Sequence, residues 1–216
     1  MIFVGRKNET RQIMDDLKKG QNIILHGKYG MGRTSLINHV AQLMHHQWKF
    51  VFIDFSQTPG QMSKSIMKAL GLPRKLKQSD KIMGYKSMRY RIANVTLKKG
   101  VKVVIVLDNV AKMTAAKKLF LRYLVLEQRF QFIAIVEHFL TQKELLELRV
   151  QLMPSTTINL RYLECIDVEN FLLTFSNQNS LAWTEDHIRN LASLTFGYPL
   201  GIVEMLKKKK GLYNNA

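Results

Sequence analysis

Cysteine is almost missing from this sequence, with Cys165 the single one in 216 residues. No intrachain disulfide can form, and no Cys/His cluster has the spacing of a zinc site. His39, His45 and His46 lie close together, which suits solvated or packed histidines as well as a metal. Acidic residues are also scarce, 16 Asp and Glu against 33 Lys and Arg, for a formal charge of +17. That balance favours a polyanionic partner such as nucleic acid or an acidic membrane surface. No apolar run reaches spanning length, and residues 1–10 lack a signal peptide's continuous hydrophobic segment. The expectation is a cytoplasmic protein with no transmembrane segment. At 46% hydrophobic, the 216 residues suffice for one α/β domain and a small appendage.

The periodicities alternate. A helix with Ile13, Met14 and Leu17 closes at Gly20 and is followed by an apolar strand, 22–25. A helix over 33–46, a strand over 49–55 ending near Asp54, a Pro59-Gly60 turn and a helix over 62–70 continue the pattern. The strand over 101–108 is near-continuously apolar, as a central parallel strand covered on both faces must be. A helix over 111–128, a strand over 130–137, a helix over 141–148 and a strand over 156–160 complete a doubly wound parallel five-stranded sheet. Beyond Leu163 no strand is expected, only helices over 166–176, 184–194 and 200–210. The organisation is an α/β domain over 1–163, a small C-terminal helical subdomain over 164–210 and a tail over 211–216, the stretch from Lys207 onward reading as a basic end.

Between the first strand and its helix runs Gly27-Lys28-Tyr29-Gly30-Met31-Gly32-Arg33-Thr34-Ser35, a phosphate-cradling loop with arginine where the pattern asks for lysine. Gly27, Gly30 and Gly32 let successive N–H groups point at phosphate oxygens, helped by the positive end of the helix that follows. Thr34 offers a hydroxyl to Mg²⁺. Arg33 keeps the charge of lysine but changes its shape, being planar and forked, so catalysis is more exposed to the change than binding. A glycine-rich turn that binds nothing is the alternative.

Parallel sheets bind ligands at the carboxyl ends of their strands, so Asp108 should face this loop and join Thr34 on the metal. Asn109 follows where hydrolytic relatives carry glutamate, and an amide cannot act as a carboxylate base at pH 7. A plain helix cap is the other reading of Asp108. Twelve Lys or Arg and one acid, Asp80, lie between Lys64 and Lys102. Lys75, Lys77, Lys86, Arg89 and Arg91, with Tyr90 to pack on sugar or base, suit a salt-dependent contact with a phosphate backbone. The same run reads equally as a solvated pair of helices, and less well as a lipid-binding face.

Taken in order, these pieces resemble the AAA+ and STAND P-loop ATPases, in the group of origin-recognition, archaeal small and transposition-regulator ATPases. Val4-Gly5-Arg6 with Glu9 is similar to the box that packs near the adenine, and Gly197-Tyr198-Pro199-Leu200 to the Gly-x-Pro element of the lid. The strand over 130–137 matches the sensor strand, but Glu137-His138 stand where the family often has Asn, Thr or Ser. No winged-helix segment follows the lid elements. The resemblance implies ATP or ADP with Mg²⁺ as ligands. Arg33 and Asn109 are the altered catalytic positions, and Val4, Gly5, Arg6, Pro199 and the loop from Gly27 to Ser35 line the nucleotide. It further implies slow or absent hydrolysis, non-specific binding of double-stranded DNA, a protein partner and a homo-oligomer. A nucleotide-gated adaptor without DNA binding and an active ATPase are the competing expectations.

Overall fold

The computed structural model describes residues 3–73, 75–76, 79–96 and 100–213. Five parallel strands form the sheet: β1 (Asn22–His26), β2 (Trp48–Asp54), β5 (Lys102–Val110), β6 (Gln131–Val136) and β7 (Ser155–Asn159), in the order β2-β5-β6-β1-β7. Alternation along β5 fills both faces, as a covered parallel strand requires. Val103, Ile105 and Leu107 join one core with α3 (Pro59–Leu70), α4 (Tyr85–Ala93), α5 (Ala115–Leu126) and α6 (Gln142–Gln151). Val104 and Val106 join the other, with α1 (Lys7–Lys18) and α2 (Arg33–Leu43). The sheet therefore has the doubly wound arrangement expected from the sequence.

Helix boundaries follow local chemistry. Thr58 and Gln61 form a capping box with Pro59 in the first turn of α3, and Thr141 with Glu144 does the same for α6. α5 starts four residues later than the periodicity suggests, because β5 runs on to Val110 and Thr114 is the cap that accepts from the Lys117 amide. The basic segment begins midway along α3 and ends beyond α4, as two helices would, but with a further element between them. It holds a short antiparallel hairpin, β3 (Lys75–Leu76) with β4 (Ser79–Ile82), and then α4. The C-terminal helices α7 (Cys165–Gln178), α8 (Glu185–Thr195) and α9 (Pro199–Tyr213) share their own core of Val168, Leu172, Ile188, Leu191, Ala192, Ile202 and Leu206. α9 carries Lys207–Lys210 inside the helix, so the lysine run and residues 211–213 are helical rather than tail.

Candidate functional site

β1 delivers the chain at its carboxyl end into the glycine-rich turn. Gly30 and Gly32 have φ of 76° and 77°, a left-handed conformation that side chains resist, and Gly32 caps α2. The first amides of α2 therefore open onto the turn. Met31 is buried and pins the turn to the core, while Lys28 and Tyr29 are exposed, the Lys28 Nζ lying 5.6 Å from the centre of the Tyr162 ring. Thr34, in the first turn of α2, donates its hydroxyl to the Asp108 carboxylate at 3.2 and 3.3 Å. Two hard oxygen donors from different elements thus meet at one point, a donor set that fits Mg²⁺.

Asn109 departs from the regular strand. Its φ is 58°, and the pairing of β5 with β6 shifts between Leu107 and Val110, so it sits at a bulge. Asparagine tolerates this conformation better than glutamate does, which gives a backbone reason for the residue independent of catalysis. Its amide N–H donates to Asp108 Oδ1 at 3.0 Å, and its side chain to Asp54 Oδ1 at 3.4 Å. Burial pushes the Asp54 carboxyl up, but the Ser56 hydroxyl and amide, the Asn109 amide and the Lys117 charge outweigh it and hold the group below its ordinary value. Burial lowers Lys117 in turn, against the opposing pull of Asp54.

Arg33 does not point into the turn. Its stem passes beneath Gly27, and its guanidinium turns to the end of β6, where one terminal nitrogen donates to both oxygens of Glu137 at 2.9 Å and the other to the Val136 carbonyl. The side chains of the pair are 7% and 14% exposed. The sequence identified both residues as departures from the usual pattern but gave no sign that they would meet. They lie 104 positions apart, and only the adjacency of β1 and β6 joins them.

Beside the turn is a cavity of about 280 Å³, close to the lower end of small-molecule sites. Val4, Arg6, Met31, Gly32, Ser35 and Pro199 line it, as do Phe3, Asn38, His39, Gln42, Leu163, Phe171, Ile202 and Val203, which the sequence reading missed. A polar row at Ser35, Asn38, His39 and Gln42 on the otherwise apolar α2 was the available signal. His39 stacks on Phe3 with ring centres 4.2 Å apart, while His45 is engaged by the Gln42 carbonyl. Among the described residues no group of three His, Cys, Asp or Glu could hold a metal. Arg6 is buried and reaches Glu9 at 3.0 Å and the Met31 carbonyl at 3.3 Å, tying the N-terminal box to the turn. Gly5 packs against Asp167 of α7. From the other side the Tyr198 hydroxyl donates to the Tyr29 carbonyl at 3.0 Å and the Leu200 amide to the Gly30 carbonyl at 3.1 Å. Gly30 is also where a Cβ would strike Tyr198 and Leu200.

The basic residues do not share one face. Lys86 and Tyr90 are exposed and Arg91 half-buried on the outer side of α4, but Arg89 lies over the Tyr123 ring at 4.1 Å, turned toward α5. Lys77 falls outside the described residues, as does the side chain of Lys75. Among the described residues no helix is long and apolar enough to cross a membrane.

No protein-family model and no curated protein matches this sequence. Solved structures do. The chain is similar to the ORC1 protein of Aeropyrum pernix in complex with DNA, at 14% identity over 99% of this chain and 61% of that one, with a TM-score of 0.73. The ORC2 protein of Aeropyrum pernix in its ADP form shares 12% identity over 90% of this chain and 57% of its own, TM-score 0.58. The Holliday junction branch migration motor RuvB of Thermotoga maritima shares 13% over 93% and 60%, TM-score 0.57. This chain thus spans about 61%, 57% and 60% of the lengths of those three. Its fold is that of the AAA+ P-loop ATPases.

Proposed function

We propose that this AAA+-fold protein binds an adenine nucleotide, turns it over slowly or not at all, and acts as a nucleotide-dependent holder of double-stranded DNA. In this reading it recruits a partner protein in the manner of the transposition-regulator ATPases, as a cytoplasmic homo-oligomer. Residues 1–163 are the nucleotide-binding domain and 164–210 the lid. The observation that carries the nucleotide half is the Thr34–Asp108 contact at 3.2 Å, on the same edge as the glycine-rich turn and next to a cavity roofed by Pro199. Thr34 and Asp108 would hold Mg²⁺, which when bound supplies charge neutralisation for the phosphate oxygens. Backbone amides of residues 27–34 cradle phosphates, and the cavity takes the nucleoside.

Slow turnover is supported by Asn109, whose amide cannot act as a base, and by Arg33, whose charge is paired with Glu137. The DNA half is supported by the charge of +17 and by the exposed Lys86 and Tyr90. Titration calorimetry with ADP and ATP in Mg²⁺ tests the first half, with binding expected in the wild type and lost in Asp108→Ala. Heat changes at the dilution background for both nucleotides would end this reading. Phosphate release above background under saturating ATP and DNA would overturn slow turnover.

A further inference from the structure

We infer that the Arg33–Glu137 pair makes this a nucleoside-diphosphate site, with Glu137 as the residue that discriminates against a triphosphate. The inference rests on the nucleotide-binding reading above and deepens it. β6 lies between β1 and β5. His26 pairs with Val136, so Glu137 stands level with Gly27, the first residue of the turn. On its other side the Glu137 amide donates to the Val110 carbonyl at 3.0 Å. The carboxylate is thereby held between the phosphate turn and the Asp108–Asn109 bulge.

Charge decides what that spot accepts. The amides of the turn serve the inner phosphates, and a third phosphate extends from them toward the strand ends. A lysine at position 33 with no carboxylate facing it would meet that phosphate with a free positive charge. Here one guanidinium nitrogen is shared by both oxygens of Glu137 and the other donates to the Val136 carbonyl, so the charge is paired before any ligand arrives. Releasing Arg33 toward a terminal phosphate would leave a largely buried carboxylate unpaired, a costly exchange. Asp54, which carries no metal role, adds negative charge along the same edge. The extra charge of a triphosphate is opposed, whereas a diphosphate stops short of it.

The test is calorimetry with ADP and with the β,γ-imido analogue of ATP at fixed Mg²⁺, on the full chain and on Glu137→Gln. Wild type should bind ADP tighter than the analogue by roughly tenfold or more. Glu137→Gln, nearly isosteric, should tighten the analogue by roughly tenfold while ADP moves by about twofold at most. Analogue binding as tight as ADP in the wild type overturns the inference, and so does a Glu137→Gln change that shifts both ligands equally. If Glu137→Gln fails to fold, the wild-type comparison decides alone. If neither ligand binds wild type, the nucleotide-binding reading itself has failed.

Discussion

A glutamate at position 109 would have to adopt a φ of 58° and place a third carboxylate beside Asp54 and Asp108. The backbone conformation alone costs roughly 1 kcal/mol for a residue other than glycine or asparagine. Asn109→Glu is therefore expected to lower the melting temperature without raising phosphate release, whereas Asn109→Gly should melt close to wild type. Combining Arg33→Lys with Asn109→Glu should raise hydrolysis only once Glu137 is also replaced, because the carboxylate otherwise captures the new lysine; a phosphate-release assay on the double and triple variants checks this. At Asp54 the folded carboxyl lies below its ordinary 3.8, so its contribution to stability is complete above that value and is lost as pH falls through the lower folded one. Asp54→Asn should accordingly lower the melting temperature near neutrality, flatten its fall below pH 3.8 and converge on wild type at low pH.

On the scale of single elements, α4 shows how a charge run divides. Its outward side carries Lys86, Tyr90 and Arg91, while Arg89 covers Tyr123 and contributes packing as much as charge. Reversing Lys86 and Arg91 to Glu should weaken DNA binding uniformly across sequences and reduce the slope of log affinity against log salt by roughly 2. Arg89→Ala should leave that slope unchanged and lower stability instead. A salt series of DNA titrations beside thermal melts separates the two. α2 divides likewise, with Leu36, Ile37 and Val40 in the core and Ser35, Asn38, His39 and Gln42 along the cavity.

For the whole molecule, the cavity is a joint between parts distant in sequence. Its walls come from the N-terminal segment, α2 and the C-terminal helices, and Tyr198 and Leu200 already hydrogen-bond to the glycine-rich turn. A ligand seated there would tie the core of α7, α8 and α9 to the sheet. ADP at about a hundred times its dissociation constant should stabilise the fold by about 2.7 kcal/mol. Hydrogen exchange should slow in Val4–Arg6 and in the first turns of α2 and α9 together. Protection confined to α2 would mean that the lid does not share the ligand.

How much was legible in the sequence follows from the range over which each signal acts. Alternation in 101–108 and the glycines at 30 and 32 constrain their own backbone, so the sheet, the glycine-rich turn and the placing of Asp108 near, though not at, the end of its strand were determined by the sequence itself. Periodicity says which face a side chain takes, not which strand end lies next to which. The Arg33–Glu137 pair, the left-handed Asn109 that holds Asp54, and the Tyr198 hydroxyl on the Tyr29 carbonyl link residues 104, 55 and 169 positions apart. Only the tertiary structure decided these, because strand order brings such ends together, and short-range electrostatics then sets which charge remains for a ligand.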